Sequence, residues 1–306
     1  MNKDQLVEFL RRYRIKPNFT YGQNFLIDDF VMDDIVDAAE VAKKDIVLEI
    51  GPGIGNLTRK LCERAGFVLS VEKDEKFLPI LKEIKKDFPE NFKYEFSDIL
   101  GFDYSKVLAS QQIYSGASKS LERGGRSGAT LEGENTSKGF PLQGSFKVVA
   151  NIPYYITGKI LQMFMTAEHK PESITILTQK EVAENVVSRP GNLSILAISV
   201  QLYGQPKLVQ KVLARSFFPA PKVDSAVLQI SIPKKPLYKL TDEKKFFRVV
   251  KSCFAGKRKQ LHNTLVNNLH LEKNKASEIL QELKINPAAR PQELSIENWI
   301  RLSEKI

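Results

Sequence analysis

Short apolar runs alternate with amphipathic segments along the first three-quarters of the 306-residue chain. Runs such as Ile46–Ile50 have the length of buried strands and end at turn residues, whereas segments such as Leu78–Phe88 show helical spacing. The pattern predicts strands at Ile46–Ile50, Phe67–Val71, Phe92–Phe96, Lys147–Ala150, Ser173–Thr178, Lys207–Leu213 and Ser225–Ile232. Strands that alternate with helices are typical of an α/β fold with a mostly parallel sheet covered on both faces.

Helical spacing is the only periodic pattern after Pro236, and it predicts helices at Lys244–Ala255, Lys257–Leu269, Lys273–Leu283 and Ser295–Glu304. Earlier helices are predicted at Leu6–Tyr13, from a capping Asp28 to Val41, and at Thr58–Arg64, Leu78–Phe88, Val182–Val187 and Leu193–Leu202. The change of pattern predicts two domains, an α/β domain at residues 1–236 and a small all-helical domain at residues 237–306.

The segment Ser110–Ser145 fits neither predicted domain. It contains seven of the 17 glycines of the chain and seven serines, with scarcely any apolar periodicity. A stretch of this length without structural signals is unusual inside a compact domain. We therefore predict a flexible insertion at the surface.

Basic residues are concentrated in the last third of the chain. The formal net charge is +10, and residues 201–306 carry 20 Lys and Arg against 9 Asp and Glu, which leaves −1 for the first 200 residues. This asymmetry indicates a polyanionic partner, although a lysine-rich solvated surface would have the same composition. Charge alone does not distinguish nucleic acid from acidic lipid.

Several classes of protein are disfavoured by composition. The longest apolar runs are far shorter than the ~20 residues of a membrane span, and the charged N-terminus has no apolar signal region. The two cysteines and three histidines show no spacing typical of a zinc site. We expect a monomeric cytoplasmic protein that uses neither a membrane nor a metal.

A glycine-rich turn in Leu48–Thr58 follows the first predicted strand and precedes a helix, as in nucleotide-binding sites. Glu72 ends the next strand, where its carboxylate can accept both hydroxyls of a ribose, and Asp98 follows the third strand, where it can accept from an adenine amino group. Asn56 stands where a dinucleotide site prefers a third glycine. S-adenosylmethionine is therefore the leading cofactor and NAD the second; otherwise both carboxylates are ordinary strand-end residues.

The motif Asn151-Ile152-Pro153-Tyr154 directly follows the fourth predicted strand. The Asn151 side-chain oxygen and a backbone carbonyl near Pro153 can accept both hydrogens of an adenine N6 amine, which draws the lone pair out of conjugation with the ring. Tyr154 can stack on the base. Methyl transfer to such an amine is an in-line displacement that depends on positioning and electrostatics. Without the cofactor motif, a simple Asn-Pro turn with a core tyrosine would be the better interpretation.

These motifs occur in order with Gly22–Leu26, Ser216–Val227 and Phe254–Leu261. Together they resemble the bacterial small-subunit (16S) ribosomal RNA adenine N6,N6-dimethyltransferases, which are responsible for kasugamycin sensitivity. The resemblance covers nearly the whole chain except the predicted insertion, and the Phe-Phe-Pro-Ala-Pro-Lys-Val-Asp-Ser stretch is its most specific part.

The resemblance implies a Rossmann-like class I methyltransferase fold with a seven-stranded sheet and a helical C-terminal domain. It implies cofactor contacts at Asn24, Leu26, Gly51, Glu72, Asp98 and Asn151. It also implies a pocket for the target amine at Asn151, Pro153 and Tyr154, and a second aromatic, Phe218, near a base flipped out of its stack. Lys222, Lys257, Arg258 and Lys259 are the candidates for RNA contacts, although the last three would also suit a solvated helix face.

Members of this family methylate, twice each, two adjacent adenines of a hairpin near the 3′ end of small-subunit RNA, and the family acts in subunit biogenesis. Tyr155 and Thr157 depart from the Asn and Ser expected after Tyr154. Two alternatives remain: a large-subunit (23S) methyltransferase of the macrolide-resistance type, and a non-catalytic rRNA-binding assembly factor. The Pro-Lys-Val-Asp-Ser and Arg-Lys-Gln-Leu segments favour the small-subunit class, and the intact Asn151–Tyr154 motif favours catalysis.

Overall fold

A seven-stranded sheet is the central feature of the protein in a computed structural model that describes residues 3–18, 22–108 and 145–306. The strands of the described residues are β1 (Phe25–Leu26), β2 (Ile46–Ile50), β3 (Phe67–Glu72), β4 (Phe92–Phe96), β5 (Phe146–Asn151), β6 (Ser173–Gln179), β7 (Gln205–Val212), β8 (Phe217–Phe218) and β9 (Ser225–Ser231). The sheet has the order β4-β3-β2-β5-β6-β9-β7, while β1 and β8 form a separate antiparallel ribbon. Each of the seven predicted strands is present, and the predicted α/β fold class is confirmed.

The middle of the sheet is parallel and buried. Ile46 at the start of β2 lies opposite Phe67 on one side and Phe146 on the other, so β2, β3 and β5 begin together. The strand β3 is buried along its whole length, as expected for a sheet covered on both faces. Because the strands are parallel and in register, their carboxyl ends meet at one edge, where α/β proteins bind ligands.

The helices with both ends in the described residues are α1 (Lys3–Arg12), α2 (Asp29–Ala38), α3 (Asn56–Arg64), α4 (Leu78–Asp87), α5 (Thr157–Thr166), α6 (Lys180–Val186), α7 (Ile195–Gln201), α8 (Glu243–Phe254), α9 (Leu261–Leu269), α10 (Lys273–Glu282) and α11 (Ile296–Lys305). Residues 104–108 are also helical. Asp28 caps α2 as predicted, since its side chain accepts from the Val31 amide at 3.4 Å. The helix ends before the predicted Val41 because Glu40 adopts a left-handed conformation with φ of 50°.

Two features of the helices differ from the sequence analysis. The predicted helix start at Lys257 is wrong: residues 255–259 form a turn in which the Lys259 amide donates to the Gly256 carbonyl at 2.8 Å, and α9 begins only at Leu261. Helix α5 was not predicted, although Ile160, Leu161, Phe164 and Met165 have helical spacing and are buried.

The chain divides into two compact units. The first comprises Met1–Pro153, Ala167–Leu177 and Ala214–Lys222, and the second comprises Tyr154–Thr166, Thr178–Leu213 and Val223–Ile306. In the second unit the C-terminal helices share one apolar core with α7, in which Ala197 and Ile198 are buried together with Trp299. The predicted domain boundary at residue 236 stays a prediction.

None of the helices in the described ranges is long and apolar enough to cross a bilayer. Within the same ranges, no group of three or more His, Cys, Asp or Glu side chains is arranged to hold a metal ion. Residues 110–144 of the predicted insertion lie outside the described residues.

Candidate functional site

The turn between β2 and α3 lies at the carboxyl edge of the sheet. Gly51 adopts φ of 67°, and a Cβ added there would meet no atom within 4 Å. The backbone conformation therefore favours glycine, and the missing side chain leaves open space beside the turn. Gly55 adopts φ of 79°, which favours glycine, and a Cβ there would lie 2.2 Å from Ile84 Cδ1, so the Ile84 side chain would have to move.

The Glu72 carboxylate fixes this turn to the end of β3. It is 7% exposed; Oε1 accepts from the Lys73 and Asp74 amides at 2.8 and 2.9 Å, and Oε2 accepts from the Gly53 amide at 3.0 Å. Burial raises the pKa of Glu72, and these three hydrogen bonds counteract that increase. A carboxylate has about four acceptor positions, so one on Oε2 remains for a ligand hydroxyl. A second hydroxyl would have to displace the Gly53 amide.

Asp98 lies beyond the end of β4, next to Glu72 in the order of the sheet. Its Oδ1 accepts from the Leu100 amide at 3.1 Å, and its Oδ2 pairs with Lys73 Nζ at 2.8 Å. The Asp98 side chain is 47% exposed, so its oxygens are accessible to a ligand and the ion pair contributes little stability.

A buried donor completes this edge. The Asn56 side-chain nitrogen, at the start of α3, is buried and has no hydrogen-bond partner among the described residues. The edge thus offers an unused amide donor, open space at Gly51 and a free acceptor position on Glu72. These groups fit S-adenosylmethionine, which carries a carboxylate, an ammonium group and two ribose hydroxyls.

Asn151, the last residue of β5, is connected to the segment before β1. Its Nδ2 donates to the Asn24 carbonyl at 3.5 Å, and Asn24 in turn donates from its side chain to the Gly22 carbonyl at 3.3 Å. The antiparallel ribbon places Phe25 opposite Phe218. The structure therefore brings Asn24, Leu26, Phe218 and Asn151 together, although Asn24 and Phe218 are far apart in sequence.

The ribbon is extended by contacts of Ser216. The Ile27 amide donates to the Ser216 carbonyl at 2.9 Å, and Ser216 Oγ donates to Asp28 at 2.9 Å. The Phe25 ring lies beside the glycine turn, since a Cβ added at Gly53 would be 3.5 Å from Phe25 Cε1. The ribbon therefore joins the glycine turn to Phe218.

Tyr154 has a fixed orientation within the second unit. Its hydroxyl lies 2.6 Å from Ser225 Oγ, and Ser225 is fully buried. Burial is the main cause of the raised pKa of Tyr154. The Phe-Phe-Pro-Ala-Pro-Lys-Val-Asp-Ser motif thus contributes Phe218 to the ribbon and Ser225 to the Tyr154 anchor. Pro153 is half-buried directly before this tyrosine.

The four predicted RNA-contacting residues are exposed. Lys222 lies in a bend after β8, and Lys257, Arg258 and Lys259 lie in the turn before α9 rather than on a helix face. None of the four forms an ion pair within the described part of the chain. Their charges are therefore available to an anionic partner.

Comparison with known proteins identifies the family. The sequence profile of the ribosomal RNA adenine dimethylases matches residues 14–306. The chain belongs to this family. It is 36% identical over 298 residues to ribosomal RNA small subunit methyltransferase A of Dehalococcoides mccartyi, covering 97% of this chain and 91% of the relative. The protein of the same name from Clostridium botulinum is 36% identical over 304 residues, covering 98% and 97%.

Two solved transferase structures share the fold. The crystal structure of the 23S rRNA methyltransferase ErmE matches with a TM-score of 0.66 and 26% identity, covering 92% of this chain and 99% of that one. A dimethyladenosine transferase from Plasmodium falciparum matches with a TM-score of 0.69 and 24% identity, covering 91% and 95%. The predicted family, fold, enzyme class and cofactor are confirmed: the chain is an S-adenosylmethionine-dependent rRNA adenine dimethyltransferase. The roles of individual site residues stay predictions.

Glu49, inside β2, is a buried carboxyl group that the sequence analysis did not single out. It is 1% exposed and accepts from Ser70 Oγ at 2.5 Å. Burial raises its pKa to about 7, the Ser70 and Thr58 hydroxyls oppose this, and the Glu72 charge adds to it. The signal in the sequence is one ionisable residue within the apolar run Ile-Val-Leu-Glu-Ile.

Replacing Glu49 by Gln should make stability less dependent on pH. A carboxyl whose pKa is higher in the folded state than its ordinary 4.5 stabilises the fold fully at pH values below 4.5. This stabilisation is lost as the pH rises through the folded-state pKa of about 7. The unfolding free energy of Glu49→Gln relative to wild type should therefore increase between about pH 5 and pH 8, by on the order of 3 kcal/mol. Chemical denaturation at both pH values measures this change.

The exposed variant Glu63→Gln is the matched control and should show no such trend. A pH-independent difference for Glu49→Gln would mean that Glu49 titrates alike in the folded and unfolded states.

Proposed function

We propose that this chain dimethylates N6 of two adjacent adenosines in a hairpin near the 3′ end of small-subunit (16S) ribosomal RNA, with a role in biogenesis of that subunit. The observation that carries this target is the 36% identity to small-subunit methyltransferases A over nearly the whole of both chains. The large-subunit enzyme ErmE shares 26% sequence identity with this chain. The difference supports the small-subunit class over the macrolide-resistance class.

The proposed chemistry assigns a role to each residue of the target pocket. S-adenosylmethionine, when bound, supplies a methyl group on a sulfonium that leaves as a neutral thioether. Since Asn151 Nδ2 is engaged with the Asn24 carbonyl, its Oδ1 is available to accept one N6 hydrogen, and a backbone carbonyl near Pro153 accepts the other. The Tyr154 ring, fixed by Ser225, packs on the base.

Phe218 provides a second aromatic surface for the flipped base. Lys3 Nζ lies 5.7 Å from the centre of its ring, which places a cation over one face. The remaining contribution of these residues is positioning, because an in-line displacement is accelerated by fixing the nucleophile toward the methyl group. We propose no catalytic metal.

The proposed partner is the ribosomal RNA of an immature 30S subunit, bound by a monomer in the cytoplasm. The exposed charges of Lys222 and of residues 257–259, none of them paired in the described ranges, support an RNA contact.

Mass mapping of dimethyladenosine in ribosomal RNA, from cells with and without this protein, tests the target. We expect two adjacent dimethyladenosines in small-subunit RNA only when the protein is present. A modified adenine in large-subunit RNA would assign the chain to the macrolide-resistance type. Unchanged RNA would favour a non-catalytic assembly factor.

Asn151→Ala should reduce the rate of methyl transfer by ~10²-fold or more, the scale for loss of an acceptor that acts in the transition state. The affinity for S-adenosylmethionine should change by no more than about threefold, because the ribose acceptor remains.

Glu72→Ala should show the opposite pattern to Asn151→Ala and weaken cofactor binding by roughly 1–3 kcal/mol. Calorimetric titration and single-turnover assays separate the two, and equal losses of both quantities in Asn151→Ala would make its role structural.

Replacing Lys257, Arg258 and Lys259 together by Ala should weaken RNA binding and flatten its dependence on salt. The slope of log affinity against log salt should fall by about 0.7–0.9 for each phosphate that is no longer neutralised. RNA titrations over a salt series measure the slope. The triple variant Lys76→Ala, Lys82→Ala, Lys86→Ala, at exposed positions of the first unit, is the control. An unchanged slope in the first variant would exclude these residues from the RNA interface.

A further inference from the structure

A groove in the second unit is not used by the site described above. Helices α5, α7 and α8 enclose it, with a volume of about 860 Å³, which is within the ~300–1,000 Å³ typical of ligand sites. Helix α8 contributes Lys244, Phe247, Arg248 and Lys251, whose spacing places them on one face of the helix. The groove is therefore built from regular helices rather than from loops.

The rim of the groove is strongly basic. Lys159, Lys244, Arg248 and Lys251 line it together with a single carboxylate, Glu243. All four cations are exposed, and within the described ranges none of them forms an ion pair. An excess of unpaired positive charge around a concave surface is complementary to an anionic ligand.

The floor of the groove is apolar and aromatic. Met165 is buried and Ile195 and Phe247 are half-buried, while Tyr155 at the edge is 62% exposed. A solvent-exposed aromatic ring beside several cations suits a nucleotide, because the base stacks on the ring and the phosphates contact the cations. An inorganic anion would use only the rim.

The position of Tyr155 in the chain indicates which nucleotide of the RNA would occupy the groove. Tyr155 directly follows Tyr154, whose ring is fixed by Ser225 and is the proposed platform for the target base. We propose that the groove is a subsite for a nucleotide next to the target adenosine in the same RNA strand, with its base on Tyr155 and its phosphates at Arg248 and Lys251. This inference rests on the proposed function.

The charge of the subsite is tested with Arg248→Ala/Lys251→Ala. A salt series of titrations with a small-subunit RNA hairpin should give weaker binding and a slope reduced by about 1.4–1.8, since two phosphates are no longer neutralised. The control Lys275→Ala/Arg301→Ala removes one Lys and one Arg from exposed positions outside the groove, where neither forms an ion pair with a described residue. An equal effect in the control would mean a general charge effect and would overturn the subsite.

The stacking contact is tested with Tyr155→Ala and Tyr155→Phe. Removal of one base–aromatic stack weakens binding by roughly 5- to 150-fold, so Tyr155→Ala should raise the Kd and KM for RNA within that range. Its salt slope should stay near wild type, because no phosphate contact is removed. Tyr155→Phe should restore most of the affinity, because the ring is kept. Since Tyr155 is exposed, thermal unfolding should be unaffected in both variants.

The outcomes separate this inference from the proposed function. If the wild type methylates small-subunit RNA but the Arg248/Lys251 and Tyr155 variants bind it with unchanged Kd, the subsite is wrong and the proposed function stands; an acidic protein segment would then be the better occupant. If the variants lose affinity but the wild type transfers no methyl group, the groove binds RNA and the proposed reaction is wrong.

Discussion

The Glu72 carboxylate is the contact on which the cofactor edge depends. Three backbone amides converge on one buried side chain, and one of them belongs to Gly53 in the turn after β2. A buried carboxylate is stable only when it is hydrogen-bonded, so the turn and the end of β3 hold each other in place. The same contact leaves a single acceptor position on Oε2. The fold of this edge and the proposed cofactor contact of Glu72 therefore use the same atoms.

The proposed target pocket is assembled differently, from segments that are distant in sequence. The β1–β8 ribbon has two residues in each strand, yet it brings Phe218 to the segment whose Asn24 carbonyl orients Asn151. Ser216 extends the ribbon, because its carbonyl accepts from the Ile27 amide and its hydroxyl donates to Asp28. So short a ribbon contributes few hydrogen bonds of its own, and the Phe25 ring adds packing against the glycine turn and Phe77. The glycine turn and Phe218 are in this way connected through one aromatic side chain.

The sheet could be predicted from sequence because its information is local. Each strand is a short apolar run that ends at a turn, and parallel strands in register place Gly51, Glu72 and Asn151 at one edge without further assumptions. The β1–β8 ribbon could not be predicted from the sequence, since a strand of two residues shows no periodicity. Local propensity favours a helix at residues 257–259 because Lys and Arg are good helix formers; the turn through Gly256 overrides that preference. The hydrogen bonds that occupy Glu72, and the burial of Glu49, depend on packing that no single segment specifies.

Two adjacent tyrosines, Tyr154 and Tyr155, differ in how far their rings are restrained by neighbouring residues. The hydroxyl of Tyr154 lies 2.6 Å from the hydroxyl of a fully buried serine, which restricts its ring, whereas the ring of Tyr155 is 62% exposed beside cations that form no ion pair among the described residues. A rigid ring suits the base that reacts, because displacement at a methyl group tolerates little error in the position of the nucleophile. An exposed ring suits a neighbouring base, for which stacking is tolerant of sequence and orientation. In the proposed reaction on two adjacent adenosines, a fixed platform beside an adaptable one would allow the strand to advance while the chemistry stays in place.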